Sequence, residues 1–173
     1  MYSIEIRKTG ITDLDTDAIV NAANEGLWAG GGVCGAIFQA AGRTALQQAC
    51  QRIGHCDTGS AVLTPGYRLR AKYILHAVGP VWQGGGHGES RLLYSAYRSA
   101  LELAAEQGCR SIGFPLISAG IYGYPAQQAW QVAVRACRDF LDTGREMQIV
   151  FAVLSDHMMV LGEEALRADG SGK

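Results

Sequence analysis

The order of hydrophobic and polar positions predicts strands and helices that alternate along the chain. Residues 4–7 alternate with the two-residue period of a strand, and residues 18–20 form a short apolar run after three aspartates. From residue 33 to residue 51 the apolar positions recur at helical spacing, with a break expected at Gly42. That segment is predicted to be one interrupted helix or two.

The second part of the chain continues this alternation. Further strands are predicted over residues 60–64, 72–78, 111–114 and 147–154, and further helices over residues 90–106, 127–141 and 156–167, the last capped by Asp156. Such alternation favours an α/β fold, a three-layer α/β/α sandwich around a central mixed, mostly parallel sheet. We expect one domain over residues 1–167 and a disordered tail over residues 168–173.

Composition narrows the class of protein. The 173 residues are 48% hydrophobic and 18% charged, and no apolar run approaches the roughly 18 residues that a membrane helix needs. The 15 Lys and Arg residues against 16 Asp and Glu residues leave a net charge of -1, so no overall positive field attracts nucleic acid or an acidic membrane. Any anion site must therefore be built locally.

Cysteine and histidine positions argue against a metal protein. The five cysteines contain no C-x-x-C pair, and His55 with Cys56 lacks further ligands at metal-binding spacing, so we expect reduced thiols and no metal or redox cofactor. His76 lies on an apolar strand and is expected to be a hydrogen-bonded core histidine, with a catalytic base as the alternative. The N-terminus lacks a signal-peptide pattern, which predicts a cytoplasmic protein.

Glycine is the one abnormal residue type, with 23 copies, about twice the usual share of roughly 7%. Gly30, Gly31 and Gly32 stand between an apolar strand and a helix start, where backbone N–H groups and the helix N-terminus suit a phosphate or diphosphate. At roughly 1.5–3 kcal/mol for each charged hydrogen bond, three or four such donors could hold a diphosphate without Lys or Arg. A merely flexible loop is the alternative.

The same glycines also allow a dinucleotide-binding interpretation. Gly30, Gly32 and Gly35 satisfy G-x-G-x-x-G, and Asp57 lies near the distance expected for a ribose-binding acid. In that fingerprint the glycines follow the strand almost at once, whereas residues 21–29 intervene here. A nicotinamide-dependent oxidoreductase is therefore the third choice of function.

A second segment, residues 114–125, again runs from a strand through small residues into a helix, which begins near Pro125. Two such loops at the carboxyl ends of strands in one open sheet would form a crevice, the usual ligand site of α/β folds. A tight packing turn is the alternative for this segment.

Four segments together resemble the macrodomain family, the ADP-ribose-binding α/β/α module. They are Ile19-Val20-Asn21-Ala22-Ala23-Asn24, Gly30-Gly31-Gly32-Val33-Cys34-Gly35-Ala36-Ile37, His76-Ala77-Val78-Gly79-Pro80 and Pro115-Leu116-Ile117-Ser118-Ala119-Gly120-Ile121-Tyr122-Gly123. They occur in the family's order and spacing over almost the whole chain.

The resemblance implies the site residues. Asn24 would bind the distal ribose, Tyr122 would pack near it, and two glycine-containing loops would clasp the diphosphate. The implied ligand-binding residues are Ile11, Asn21, Asn24, Gly30, Gly31, Gly32, Val33, Ser118, Ala119, Gly120, Ile121, Tyr122 and Asp156. Trp28, beside the glycines, either closes over the pocket or covers the edge of the core.

The chain departs from the family pattern at three positions. Gly10 replaces an acid that reads the adenine amino group, and Ser155 stands where relatives often place an aromatic ring over the adenosine. Losing that stacking would cost roughly 1–3 kcal/mol, although Asp13 or Asp156 could compensate. Cys34 replaces an aspartate proposed to activate water in related hydrolases. Other members carry a small residue there and still hydrolyse ADP-ribosyl bonds, with the substrate's own phosphate positioning the water.

Cys34 also has a chemistry of its own, because a thiol at a helix N-terminus has a lowered pKa and could act as a nucleophile or redox group. A small apolar residue that fills the aspartate position is the alternative. The resemblance implies a hydrolase that releases ADP-ribose from modified protein or nucleic acid, or that deacetylates O-acetyl-ADP-ribose, with Asn24 and Cys34 as candidate catalytic residues. A non-catalytic module that binds ADP-ribose is the second choice. The sequence leaves the oligomeric state open.

Overall fold

A computed structural model describes residues 3–170, which form six strands and five α-helices. The strands are β1 (Ile4–Lys8), β2 (Ala18–Ala22), β3 (Ala61–Pro65), β4 (Tyr73–Ala77), β5 (Ser111–Phe114) and β6 (Gln148–Val153). The helices are α1 (Gly32–Ala41), α2 (Arg43–Ile53), α3 (Glu89–Glu106), α4 (Ala126–Asp142) and α5 (Asp156–Gly170). A short 3-10 turn (Ile11–Asp13) follows β1.

The six strands form one sheet in the order β1-β6-β5-β2-β4-β3. All neighbouring pairs are parallel except β3 with β4, so the predicted mixed, mostly parallel sheet is confirmed. β6 is apolar at every position after Gln148 because both of its faces are buried: Phe151 packs into one core layer and Val150 into the other. α3 and α4 cover the first layer and α1 and α2 the second, which gives the expected three-layer sandwich.

The glycine break in the first helical segment divides it into two helices. Gly42 has φ 106°, a conformation that interrupts helical hydrogen bonding, and its N–H still closes α1 by donating to the Phe38 carbonyl (3.1 Å). The sequence predicts either one interrupted helix or two helices here, and the structure has two.

The predicted cap and the predicted last residue of the final helix were wrong, whereas its first residue, Asp156, was right. Ser155, not Asp156, caps α5, because its hydroxyl accepts the N–H of Met158 (3.2 Å) and Asp156 is already helical. The helix continues to Gly170, three residues beyond the predicted end, and Asp169 in this extension pairs with Arg135 and Arg138 at 3.2 Å each. The rest of the predicted tail lies outside the described residues.

Within residues 3–170, no helix has both the length and the apolar character needed to cross a membrane.

Candidate functional site

A cleft of about 600 Å³ opens at the carboxyl ends of the parallel strands, a size typical of small-molecule sites. Its walls come from the segments at the ends of β1, β2, β4, β5 and β6, so five separate stretches of sequence meet at one edge of the sheet. The cleft is lined by Thr9, Gly10, Ile11, Thr12, Ala22, Ala23, Asn24, Trp28, Gly30, Gly31, Gly32, Val33, Cys34, Ala36, Gly79, Pro115, Leu116, Ile117, Ser118, Gly120, Ile121, Tyr122, Ala152 and Leu154.

The first loop (residues 23–31) delivers the N-terminus of α1 to this cleft. In the described chain, the N–H groups of Gly31, Gly32, Val33 and Cys34 have no backbone acceptor, as expected for the first turn of a helix. The N–H of Gly30 is directed at the Cys34 sulfur (3.4 Å). The helix start therefore presents four free amide donors and a positive dipole end at one wall of the cleft.

Close packing fixes the path of this loop. A Cβ added at Gly35 would lie 2.9 Å from the Gly30 carbonyl oxygen, so the first turn of α1 contacts the loop at a distance that requires glycine. The main chain at Gly30 is thereby held close to the helix start.

The second loop (residues 115–125) faces the first across the cleft and is folded onto itself. Gly123 donates to the Gly120 carbonyl (3.0 Å) and Tyr124 donates to the Ser118 carbonyl (2.9 Å). These bonds leave other amides unused: over residues 3–170, no protein acceptor binds the N–H of Ser118, Gly120, Ile121 or Tyr122. The loop thus offers a second row of free donors.

The Ser118 hydroxyl is a buried polar group without a partner among the described residues. Ser118 is only 6% exposed, it lines the cleft, and its backbone has φ 69°, a conformation uncommon outside glycine. An unsatisfied hydroxyl of this kind is costly, and strained backbone is found at ligand sites. Both properties make Ser118 a candidate ligand contact.

Asn24 and Trp28 form a reciprocal pair at the entrance. The Asn24 Nδ2 donates to the Trp28 carbonyl (2.9 Å) and its Oδ1 accepts the Trp28 N–H (3.2 Å), which fixes the orientation of the amide. The Trp28 side chain is 63% exposed, so it forms a wall of the cleft and does not cover the core. Its ring lies over Gly26, where an added Cβ would be 2.5 Å from the indole nitrogen.

The lining of the cleft is uncharged. Among the lining residues of the described chain there is no Asp, Glu, His, Lys or Arg. Burial, reinforced by the nearby Glu25 carboxylate, raises the pKa of Tyr122, so its phenol is neutral and can donate at physiological pH. Anion binding at this site rests on backbone and neutral side-chain donors.

Asn21 lies below the floor of the cleft. It is 1% exposed, and its Nδ2 contacts the His76 Nδ1 (3.1 Å), while the His76 Nε2 contacts the Thr64 hydroxyl (2.9 Å). Burial lowers the pKa of His76 to about 4, which keeps the imidazole neutral. His76 is therefore a hydrogen-bonded core residue, as expected.

The structure brings most of the predicted ligand residues together and leaves out three. Asn21 is below the floor, the Ala119 N–H turns toward the Leu116 carbonyl (3.5 Å), and Asp156 is exposed and paired with Lys8 (3.1 Å). The other predicted ligand residues line the cleft, as does Cys34, which is 6% exposed.

Sequence reasoning missed wall residues that follow strand ends. The position of Gly79, directly after the predicted strand 72–78 and before a proline, is a pattern that could have identified it as a wall residue. Leu154 is 75% exposed on the rim of the cleft, next to Ser155, the residue that corresponds to the family's aromatic position. Adjacent residues at a strand end point to opposite sides, so one position separates a cleft wall from a helix cap.

Within residues 3–170, one group of side chains could hold a metal ion. Ligand atoms of Glu25, His55 and Asp57 lie within 4.8 Å of one another, all exposed and outside the cleft lining. His55 and Asp57 are already paired (2.8 Å). Asp57, the acid of the dinucleotide interpretation, is therefore not in the cleft, which removes the support for a nicotinamide enzyme.

The chain is similar to proteins of one family over most of its length. The family model described as Macro domain matches residues 20–133. A macro domain-containing protein of Chlorobaculum tepidum is 51% identical over 162 residues, covering 93% of this chain and 94% of that protein. An O-acetyl-ADP-ribose deacetylase of Salmonella typhimurium is 54% identical over 142 residues, covering 80% of this chain and 79% of that protein.

Solved structures show the same similarity. An Oceanobacillus iheyensis macrodomain with ADP has a TM-score of 0.93 at 36% identity, and the match covers 99% of this chain and 94% of that chain. A Trypanosoma brucei macrodomain in complex with ADP-ribose has a TM-score of 0.87 at 41% identity, covering 94% and 68% of the two chains.

Proposed function

Because this chain belongs to the macrodomain family, we propose that it binds ADP-ribose in the cleft and hydrolyses the acyl ester of O-acetyl-ADP-ribose. Relatives at about 54% identity carry the name O-acetyl-ADP-ribose deacetylase, and structural neighbours contain ADP or ADP-ribose. The same cleft would accept ADP-ribose attached to a macromolecule, because Trp28, which lines it beside Asn24, is 63% exposed.

The observation that carries the proposal is the pair of facing amide rows. The start of α1 and the second loop each present several free N–H groups to one uncharged cleft. A diphosphate carries two anionic groups a few ångströms apart, and each charged hydrogen bond contributes about 1.5–3 kcal/mol. Two short rows of donors therefore match a diphosphate better than a single phosphate.

Asn24 is the residue we assign to the distal ribose. Its amide uses one N–H and one lone pair on Trp28, which leaves the second N–H and a second lone pair for ribose hydroxyls. Tyr122 lines the same cleft and remains neutral, so its phenol is the other candidate donor at that ribose.

The hydrolytic step needs water and a place for its proton. Water oxygen adds to the acyl carbon and the bond from that carbon to the ribose oxygen breaks; one proton of the water ends on the ribose oxygen and the other is released, so that the products are ADP-ribose and acetate. Since no carboxylate or imidazole lines the cleft in the described chain, the proton passes through the ligand's phosphate or solvent. The protein's contribution is orientation and electrostatic stabilisation by amide donors.

The uncharged lining also favours the second candidate, a module that binds ADP-ribose without turnover. A general base within hydrogen-bond reach would speed hydrolysis about 10²–10⁴-fold. The described lining has no carboxylate, imidazole or amine to act as that base, only the Cys34 thiol and the Tyr122 phenol. The two candidates share the binding step and differ in acetate release.

The test combines calorimetry and an acetate assay on the same preparation. We expect ADP-ribose to bind and O-acetyl-ADP-ribose to release acetate above the buffer rate. Binding without release would establish the non-catalytic module, and absence of ADP-ribose binding would overturn both candidates. An ADP-ribosylated protein, assayed for free ADP-ribose, extends the test to macromolecular substrates.

A further inference from the structure

Glu89 is a buried carboxylate at the start of α3 that is held by backbone amides. It is 1% exposed and accepts hydrogen bonds from the N–H groups of Gln83 (2.9 Å), Gly85 (2.9 Å) and His87 (2.6 Å). Burial by itself would raise the pKa of Glu89, but these hydrogen bonds hold the pKa at about 2. The side chain is therefore ionised at neutral pH.

No Lys or Arg side chain pairs with Glu89 anywhere in residues 3–170. The partners of Glu89 are thus backbone amides of the preceding segment, residues 83–88. This segment is neither helix nor strand. Gly84 and Gly85 have φ 94° and 92°, so the segment follows a path that suits glycine. The buried Glu89 carboxylate thus holds this exposed segment in place by accepting hydrogen bonds from three of its amides.

The segment in turn packs against Trp82. A Cβ at Gly85 would lie 3.1 Å from the Trp82 ring, so the glycine backbone rests directly on the indole. The Trp82 ring also packs against the Tyr124 ring, with centroids 4.7 Å apart. The loop held by Glu89 thereby fixes one face of Trp82, and Tyr124 contacts the indole as well.

Trp82 reaches the cleft wall through its backbone. Its N–H donates to the Tyr122 carbonyl (2.8 Å), and the Tyr124 N–H donates to the Ser118 carbonyl (2.9 Å). Tyr122 and Ser118 both line the cleft. A continuous series of contacts therefore runs from the Glu89 carboxylate to the free amides of the second loop.

We propose that Glu89 is a positioning residue for the ligand site, which sets the place of the second loop through residues 83–88 and Trp82. The inference rests on the proposed function, since its readout is ADP-ribose binding. Glu89 is outside the cleft lining, so it acts only through the main chain of the second loop.

The test is the variant Glu89→Gln, which keeps the shape of the side chain but removes its charge and turns an amide toward the backbone donors. At a temperature well below the Tm of the variant, we expect the Kd for ADP-ribose to rise about tenfold, or about 1.4 kcal/mol. The Kd for AMP, which lacks the second phosphate and the distal ribose, should change less than twofold.

Glu102→Gln is the matched control. Glu102 is on the same helix and is held by Arg98 and Arg145, with no connection to the second loop. Its loss should lower the Tm while leaving both Kd values unchanged. A Glu89→Gln variant that behaves like Glu102→Gln, with a lower Tm and unchanged ADP-ribose affinity, would overturn the proposal.

A second variant covers the case in which Glu89→Gln fails to fold. Gly85→Ala leaves the charge intact and displaces the segment from Trp82, so it should weaken ADP-ribose in preference to AMP as well. Unchanged ADP-ribose affinity in a folded Gly85→Ala protein would also count against the proposal. Failure of the wild-type protein to bind ADP-ribose would instead disprove the proposed function, so the two failures are distinguishable.

Discussion

Gly79 and Ser118 share one space at the floor of the cleft. A Cβ at Gly79 would overlap the Ser118 hydroxyl and would lie 2.5 Å from Cγ2 of Ile117, so glycine after β4 is what admits the serine side chain after β5. The two residues are 39 positions apart in the sequence and meet because β4 and β5 both pair with β2.

Substituting Gly79 therefore tests the second loop directly. Gly79→Ala should destabilise the protein by about 1–3 kcal/mol through overpacking and should weaken ADP-ribose binding, because Ser118 must move. Denaturant unfolding and calorimetry measure the two effects. Gly170→Ala is the control, since a Cβ there would meet only the Arg138 side chain, at 3.9 Å, and Gly170 is far from the cleft lining; equal effects of the two substitutions would contradict the contact.

Asn24→Ala is expected to impair turnover more than binding. In the proposed mode of binding, the amide orients the distal ribose next to the reacting bond, whereas the diphosphate contacts that would dominate affinity come from the backbone. We expect kcat to fall about tenfold or more and the Kd for ADP-ribose to rise less than about threefold. Because Asn24 also holds Trp28, Trp28→Ala is measured in parallel; equal losses of kcat and affinity in Asn24→Ala would exclude this role.

Cys34 should be the thiol that reports ligand occupancy. Among the described residues, Cys34 is the cysteine that lines the cleft. Burial raises the pKa of the Cys50 and Cys56 thiols to about 11 and also raises the pKa of Cys109 and Cys137, which slows the reaction of those four thiols. We expect iodoacetamide to label Cys34 before the other four and saturating ADP-ribose to slow that labelling.

Mass spectrometry of digested protein locates the label, and Cys34→Ser is the control. Equal labelling with and without ligand would show that the cleft is not where ADP-ribose binds. The pH midpoint of the reaction rate separates the two hypotheses for Cys34: a midpoint near that of free cysteine would disprove a reactive thiolate.

His76 predicts a pH dependence of stability. Burial lowers its pKa from 6.5 to about 4, so between these values the unfolded chain binds a proton that the folded chain does not. The free energy of unfolding should hold its full value above pH 6.5 and decrease as the pH falls toward 4, by at most about 1.4 kcal/mol per pH unit from this residue.

Urea unfolding at several pH values between 7 and 4 measures this slope. His76→Gln should flatten it, whereas substitution of the exposed His157 should not. If wild-type protein and His76→Gln lose stability in parallel, the buried imidazole is not the cause.

The sequence predicted the parts of the site that depend on local patterns. The glycines before α1 and the small residues after β5 lie where a strand is followed by a helix. Because the strands are parallel, both positions fall at the carboxyl-end edge of the sheet, with free amides facing the cleft. The parallel sheet then brings the two loops together, so the alternation of strands and helices was sufficient to predict a crevice.

The remaining wall residues depend on contacts between distant segments. The sequence does not predict the role of Trp28, because nothing local shows whether an indole faces a core or a cleft. Contacts with the Asn24 amide and with Gly26 determine the position of the ring. Leu154 and Ser155 differ only in which side of the β6 end they face. The link from Glu89 to Tyr122 crosses three elements and has no signature in the sequence.

The two amide rows have a further consequence for how this protein tolerates mutation. A peptide N–H is present in every residue but proline, so most side-chain exchanges in the first and second loops leave the anion donors in place. Only a substitution by proline, or a change that redirects the main chain, can remove them. Neutral donors also place no net charge on the protein side of the contact for salt to screen. We therefore expect diphosphate binding to persist at salt concentrations that abolish binding by lysine or arginine clusters.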